Sequence, residues 1–237
     1  MRPLKPPMIM NPEDYGKKIG ISFKSKDLLI EALTHRSYLN EYPKWRLPHN
    51  ERLEYLGDAV LELIVTEALF RKFPKQPEGQ LTVLRAALVN YQILARIAER
   101  IDLQTSILMS RGERKDTGRA REVILANAIE ALIGAIYLDQ GLEKTRAFVD
   151  KFVLVHLDEV LTTRSYKDAK SELQEVVQEK LKITPTYAVL GESGPAHERR
   201  FTMGVYFKDK LIAEGEGLSK QDAEIEAAKN ALRKYGK

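Results

Sequence analysis

From Pro12 to about Thr163 the apolar positions recur at helical spacing, and no alternating strand pattern interrupts them. The spacing predicts helices over 12–19, 26–33, 50–72, 78–88, 90–100, 121–139 and 143–162. Pro, Gly or charged clusters such as YPKWRLPH and FPKQPEGQ separate them. The segment 110–121, SRGERKDTGRAR, holds five basic residues and two acids and reads as a mobile polar loop. After TTRSYKDAK the pattern changes. Leu173, Val176, Val177 and Leu181 mark one amphipathic helix, and TPTYAVL, RRFTMGVYFK and KLIAEGEG read as three strands. The second strand places Phe201, Met203, Val205 and Phe207 on one face, and a tight turn at Lys208-Asp209-Lys210 follows. Ser219 caps a final helix that turns Ala223, Ala227, Ala228, Ala231 and Leu232 inward. The predicted architecture is an all-α domain over 1–163 and a small α+β domain, α-β-β-β-α, over 164–237.

Two helices carry polar residues in places that invite explanation. In NERLEYLGDAVLELIV, residues 50–65, Glu51, Glu54 and Asp58 fall within an arc of about 60 degrees. A solvated face would account for them, because Leu53, Leu56, Val60 and Ile64 lie opposite. Yet Leu61, Val65 and Leu69 continue the acidic stripe, so beyond Asp58 the helix is apolar nearly all round. In VILANAIEALIGAIYL, residues 123–138, Asn127 and Glu130 are the strongly polar side chains, three apart and on one face. An unpaired buried carboxylate costs several kcal/mol, so Glu130 requires a partner or a cleft. Acids sharing a cleft repel one another unless a cation joins them, and oxygen side chains from two helices suit a hydrated Mg²⁺. Such an ion can activate water against a phosphodiester. Geometry alone leaves a metal site and ordinary helix-surface acids both open.

Composition narrows the chemistry. The 237 residues, 43% apolar, are enough for one large or two modest domains. Without cysteine there are no disulfides, thiolate zinc sites or cysteine nucleophiles, and four scattered histidines favour oxygen ligands for any metal. No segment has the apolar length of a signal peptide or a membrane crossing, which points to a cytoplasmic protein. The formal charge is only +4, and from Tyr166 onward 13 Lys or Arg face 12 Asp or Glu, so composition does not reveal a nucleic-acid binder. His35 in LTHRSY has no Ser and Asp constellation around it and reads as structural, and Trp45 reads as packed on the body.

The quoted stretches also carry a resemblance. HNERLEYLGDAVLELIV resembles the signature of ribonuclease III, the double-stranded-RNA endonuclease. LTHRSYLNE, FPKQPEGQLTVLRAALV and VILANAIEALIGAIYLDQG resemble further blocks of its catalytic domain, and YKDAKSELQE resembles the junction with a carboxy-terminal double-stranded-RNA-binding domain. The likeness runs from Tyr15 to Tyr235. It implies a homodimer, joined through the first domain, that cuts both strands of an RNA duplex with Mg²⁺, or Mn²⁺ as substitute. The products would carry 5'-phosphates, 3'-hydroxyls and short 3' overhangs. By position, Glu54, Asn127 and Glu130 resemble the metal-binding set, Asp58 with Glu130 the catalytic acids, and Glu51 and Glu78 a secondary acidic set. Tyr55 stands where the family's dimer contact has an aromatic residue.

In the second domain the resemblance implies shape reading of A-form RNA. Gln174 and Glu175 would reach riboses in one minor groove. Gly194, Pro195 and His197 would enter the next, and Ser219 and Lys220 would face phosphates at the amino end of the last helix. The sequence departs from the family at two places. Asn127 replaces an Asp found in many members, which removes one negative charge from the cluster. Gln221, Asp222 and Glu224 follow Lys220 where further basic residues are usual, which predicts modest binding with weak salt dependence. Asn127 leaves two functions open, an active duplex endonuclease and a duplex-binding protein with impaired cleavage.

Overall fold

Helix follows helix in the first unit of the chain. The computed structural model describes residues 12–163, 169–195 and 199–235. The order is α1 (Pro12–Ile19), α2 (Lys26–Ala32), α3 (Arg36–Glu41), α4 (Glu51–Lys72), α5 (Glu78–Leu88), α6 (Tyr91–Arg100), α7 (Arg111–Lys115), α8 (Arg119–Gln140), α9 (Leu142–Phe152), α10 (Leu157–Thr163) and α11 (Ala169–Leu181). Strands β1 (Thr186–Ser193), β2 (Arg200–Phe207) and β3 (Lys210–Gly217) and helix α12 (Lys220–Tyr235) complete it. The chain divides into two compact units, Met1–Thr163 and Arg164–Lys237.

Helices α4 and α8 form the centre of the first unit. Leu61, Ile64, Val65 and Leu69 of α4 are buried, as are Ile124 to Ala126, Ala128, Ile129 and Ala131 to Ile136 of α8. Burying each large aliphatic side chain is worth roughly 1.5–3 kcal/mol, so packing determines how these helices lie. Two glycines allow them to touch. A Cβ on Gly57 would stand 1.7 Å from the Glu130 carbonyl oxygen, and one on Gly134 would stand 2.3 Å from that of Leu53. No other residue type lets the two backbones meet there. Ala131 and Ala135 of α8 and Leu53 of α4 also pack with Ala32, Phe23 and Leu28 around α2.

Three details differ from the sequence pattern. The expected mobile loop over 110–121 contains α7, and α8 begins at Arg119. Ser110 Oγ accepts the Glu113 N–H, Ser110 N–H donates to Ser37 Oγ, and Arg111 N–H donates to Glu41. These bonds fasten the segment to α3, a helix that periodicity did not predict because it is six residues long. The expected helix over 143–162 breaks at Val153, where a 3₁₀ turn at Leu154–His156 separates α9 from α10.

In the second unit the strands form an antiparallel sheet in the order β1-β2-β3. Met203, Val205 and Phe207 of β2 are buried and Phe201 is half-buried. The β2 to β3 turn pairs Phe207 with Lys210, with Lys208 at φ 55. Ala227, Ala228 and Ala231 of α12 share a core with Leu173 and Val177 of α11, and Leu232 packs against it. A Cβ on Gly215 would stand 2.1 Å from the Ala227 nitrogen, so this glycine and the alanine stripe let α12 lie close on β3. Leu181, expected inside, is half exposed at 50%, because α11 ends there.

Candidate active site

The crossing of α4 and α8 lies within one turn of Glu54, Asp58 and Glu130, so the contact between backbones also brings the carboxylates together. Asn50 anchors the start of α4: it is buried, its amide nitrogen donates to the Ala32 carbonyl, and its backbone N–H donates to that of Thr34. Glu54 and Glu130 are half-buried and Asp58 is exposed at the edge.

The electrostatics record the crowding. Burial, and then the charges of Asp58 and Glu54, push the Glu130 carboxyl up to about 8. Glu54 is raised by burial and by Glu51 and Asp58, while a hydrogen bond from the Asn127 side chain draws it down. The amide of Asn127 is therefore part of the cluster and faces Glu54. Among the described residues no three His, Cys, Asp or Glu side chains close into a ready-made cage. The cluster is open. Its donors are all hard oxygens, and its members repel one another while half removed from water. Those properties fit a hydrated divalent cation of the Mg²⁺ type, for which water and substrate oxygens complete the shell.

The chain matches the ribonuclease-III-like family model over residues 25–157 and the double-stranded RNA binding motif over 169–235. It is 47% identical over 216 residues to ribonuclease 3 of Desulforamulus reducens, covering 91% of this chain and 88% of that protein. The chain belongs to the ribonuclease III family. Ribonuclease 3 of Nitratiruptor sp. is similar at 45% identity over 93% of this chain and 95% of the relative. A solved nuclease domain of ribonuclease III from Campylobacter jejuni, described for flexibility in a region involved in dimer formation, aligns with a TM-score of 0.55 at 45% identity. That alignment covers 60% of this chain and 96% of the other. As a ribonuclease III family member the chain is an endoribonuclease with a double-stranded-RNA-binding domain.

Of the residues singled out by sequence, Glu54, Asp58, Asn127 and Glu130 converge. Glu51 lies one turn before Glu54, exposed and paired with Arg36. Glu78 does not join them within one chain. It lies at the start of α5, accepts a hydrogen bond from Thr82, and shares a pocket with Thr66, Leu69 and Phe70. Those α4 residues are two turns or more beyond Asp58, roughly 12 Å or more along the axis.

In the RNA-binding unit Gln174 and Glu175 are exposed and line one shallow groove with Ser171 and Gln178. Gly194 and Pro195 are exposed just beyond β1, and His197 lies outside the described residues. Ser219 caps α12, accepting the Asp222 N–H and donating its hydroxyl to the Asp222 carboxylate. Lys220 Nζ lies 5.8 Å from the centre of the Phe201 ring. Glu224, one of the acids expected to weaken the phosphate contact, is paired with Lys170 at 2.6 Å.

His35 is structural. It caps α3 and its Nδ1 lies 2.8 Å from Ser37 Oγ. Trp45 packs edge-on against Tyr38 at 5.2 Å. The sequence reading overlooked Gly57 and Gly134. A glycine inside a helix costs about 1 kcal/mol relative to alanine, and one in each of two otherwise strong helices was the available signal of a close crossing.

Proposed function

We propose that this ribonuclease III family member hydrolyses both strands of double-stranded RNA at the Glu54, Asp58, Asn127 and Glu130 cluster, with Mg²⁺ as the working cation and Mn²⁺ as substitute, in the cytoplasm. The products are 5'-phosphate and 3'-hydroxyl ends with short 3' overhangs, suited to RNA processing. The single observation that carries the reading is the half-buried Glu130 carboxyl raised to about 8 beside two further acids, an arrangement that a bound cation would relieve.

Glu54, Glu130 and the amide oxygen of Asn127 would hold the ion. When bound, it supplies an activated water and offsets the charge that develops on the phosphate. Asp58, exposed at the edge, would orient the water and accept its proton. Asn127 contributes an oxygen without a charge, so the cluster carries one negative charge fewer than a set of four acids.

Cutting two antiparallel strands calls for two sites related by a two-fold axis, as a homodimer provides. Tyr55, Leu63 and Phe70 of α4 are 82%, 56% and 69% exposed. They fall within an arc of about 80 degrees, an apolar face that supports pairing through the first unit. Glu78 lies beside Phe70 on this face and not in its own chain's cluster.

Incubating the protein with long duplex RNA, with and without Mg²⁺, tests the reading. Short duplex products that require the metal are expected. Tight binding that leaves the RNA intact at every metal concentration would replace the nuclease with a duplex-binding protein.

A further inference from the structure

Glu51 has a partner that metal-assisted hydrolysis does not require. Arg36 Nη1 lies 3.2 Å from Glu51 Oε1, and the two side chains are 69% and 45% exposed. His49 Nδ1 accepts the Glu51 backbone N–H and is 3.8 Å from the other Glu51 oxygen. Arg36 is the permanently charged partner of this carboxylate. An ion pair so exposed adds little to folding, so stability does not account for it.

The backbone around Arg36 is firmly held. His35 N–H donates to the Leu108 carbonyl at 2.8 Å, Ser37 Oγ accepts the Ser110 N–H at 3.0 Å, and Glu41 accepts the Arg111 N–H at 3.1 Å. Both ends of α3 are therefore tied to the segment that leads into α7. Glu51 in turn stands one turn, about 4.5 Å of rise, before Glu54, and its charge reaches that carboxyl. Arg36 thus presents a guanidinium from a firmly held backbone at the rim of an acidic cluster. A guanidinium has five N–H donors in a planar fork, and those not facing Glu51 are open to solvent, a geometry matched to a phosphate. Carboxylates gathered in a cleft repel the RNA backbone, and a cation held at their rim opposes that repulsion.

We infer that Arg36 binds an RNA phosphate beside the one that is cleaved, and that Glu51 is the positioning residue for Arg36 and not a ligand of the cation. This rests on the reading of the Glu54, Asp58 and Glu130 cluster as the cleavage site.

Two measurements on the full chain test it. One follows duplex RNA binding by fluorescence anisotropy over a range of salt, with chelator present. The other follows Mn²⁺ binding by calorimetry without RNA. Arg36→Gln should flatten the slope of log affinity against log salt by on the order of one contact per site. Arg36→Lys should restore the slope. Glu51→Gln should lose part of it yet keep Mn²⁺ affinity within about twofold of wild type, while Glu54→Gln loses tenfold or more. An unchanged slope in Arg36→Gln overturns the inference, as does a tenfold loss of Mn²⁺ affinity in Glu51→Gln. A wild-type chain that binds duplex RNA but leaves it uncut at every Mg²⁺ concentration overturns the reading of the cluster, and this inference with it.

Discussion

The two units solve opposite problems with related means. In the first, function depends on groups the fold half buries: α4 and α8 touch through Gly57 and Gly134, and acids next to the contact are drawn together against their repulsion. In the second, Gly215 and the α12 alanines allow an equally close approach, but there it only consolidates a core. The groups expected to meet RNA, such as Gln174, Glu175 and Lys220, stay exposed on the surface, where water screens them. Close packing thus creates chemistry only where it traps like charges.

The sharpest way to break this contrast is to separate the backbones. Gly57→Ala places a methyl group against the Glu130 carbonyl and should cost about 3 kcal/mol or more, with cleavage lost. Gly215→Ala should instead loosen the second unit and weaken duplex binding. Thermal melts read beside separate cleavage and binding assays check both. If Gly57→Ala melts and cuts like wild type, the crossing does not organise the site.

Removing the trapped charge is next in size. Glu130→Gln should lower the cleavage rate by about 10²–10⁴ fold. Stability should move the other way. A carboxyl raised from 4.5 to about 8 by folding favours the protonated form, so metal-free protein loses stability as pH rises through that window. At about 1.4 kcal/mol per pKa unit, discounted for partial exposure, the loss should reach a few kcal/mol. Glu130→Gln should remove most of this slope in melts taken between pH 5 and pH 8 with chelator present, and added Mg²⁺ should stabilise the wild type at pH 8. A flat pH profile for the wild type would refute the electrostatic picture.

Asn127→Asp should shift the Mg²⁺ needed for half-maximal cleavage several-fold lower, because it adds a charge beside Glu54, and should destabilise the metal-free protein at pH 8. The smallest effect is expected on the RNA-binding surface. Lys220→Ala should weaken duplex binding about two- to threefold and reduce its salt slope, as befits one exposed phosphate contact. A hundredfold loss there would show that the second unit, like the first, concentrates its function in one group.

Much of this was legible along the chain. The polar connection TTRSYKDAK, and the alternation that follows one further amphipathic helix, separated a helical unit from an α-β-β-β-α unit, and Asn127 and Glu130 were conspicuous because an apolar helix surrounded them. Short elements were not. Helices α3 and α7 are six and five residues long, too brief for a periodic signal, and hydrogen bonds from residues some 70 positions away hold them. The break at Val153 escaped for a similar reason, since the apolar spacing runs through it.

Within the candidate site, residue types and helix faces could be read directly, and so the four oxygen donors could be named. Which acids share a space could not. Glu51 falls on the same stripe as Glu54 and Asp58, yet Arg36, from a different helix, engages it. Glu78 was grouped with Glu51 by resemblance and stands on α5 beside Phe70.

By itself the sequence determined the long helices, the strands, most of the inward faces and the chemistry available on each, because these follow from local spacing and side-chain type. Tertiary structure decided which charges meet. Repulsion, burial and pairing depend on distances across helices, and here two glycines nearly 80 positions apart set those distances.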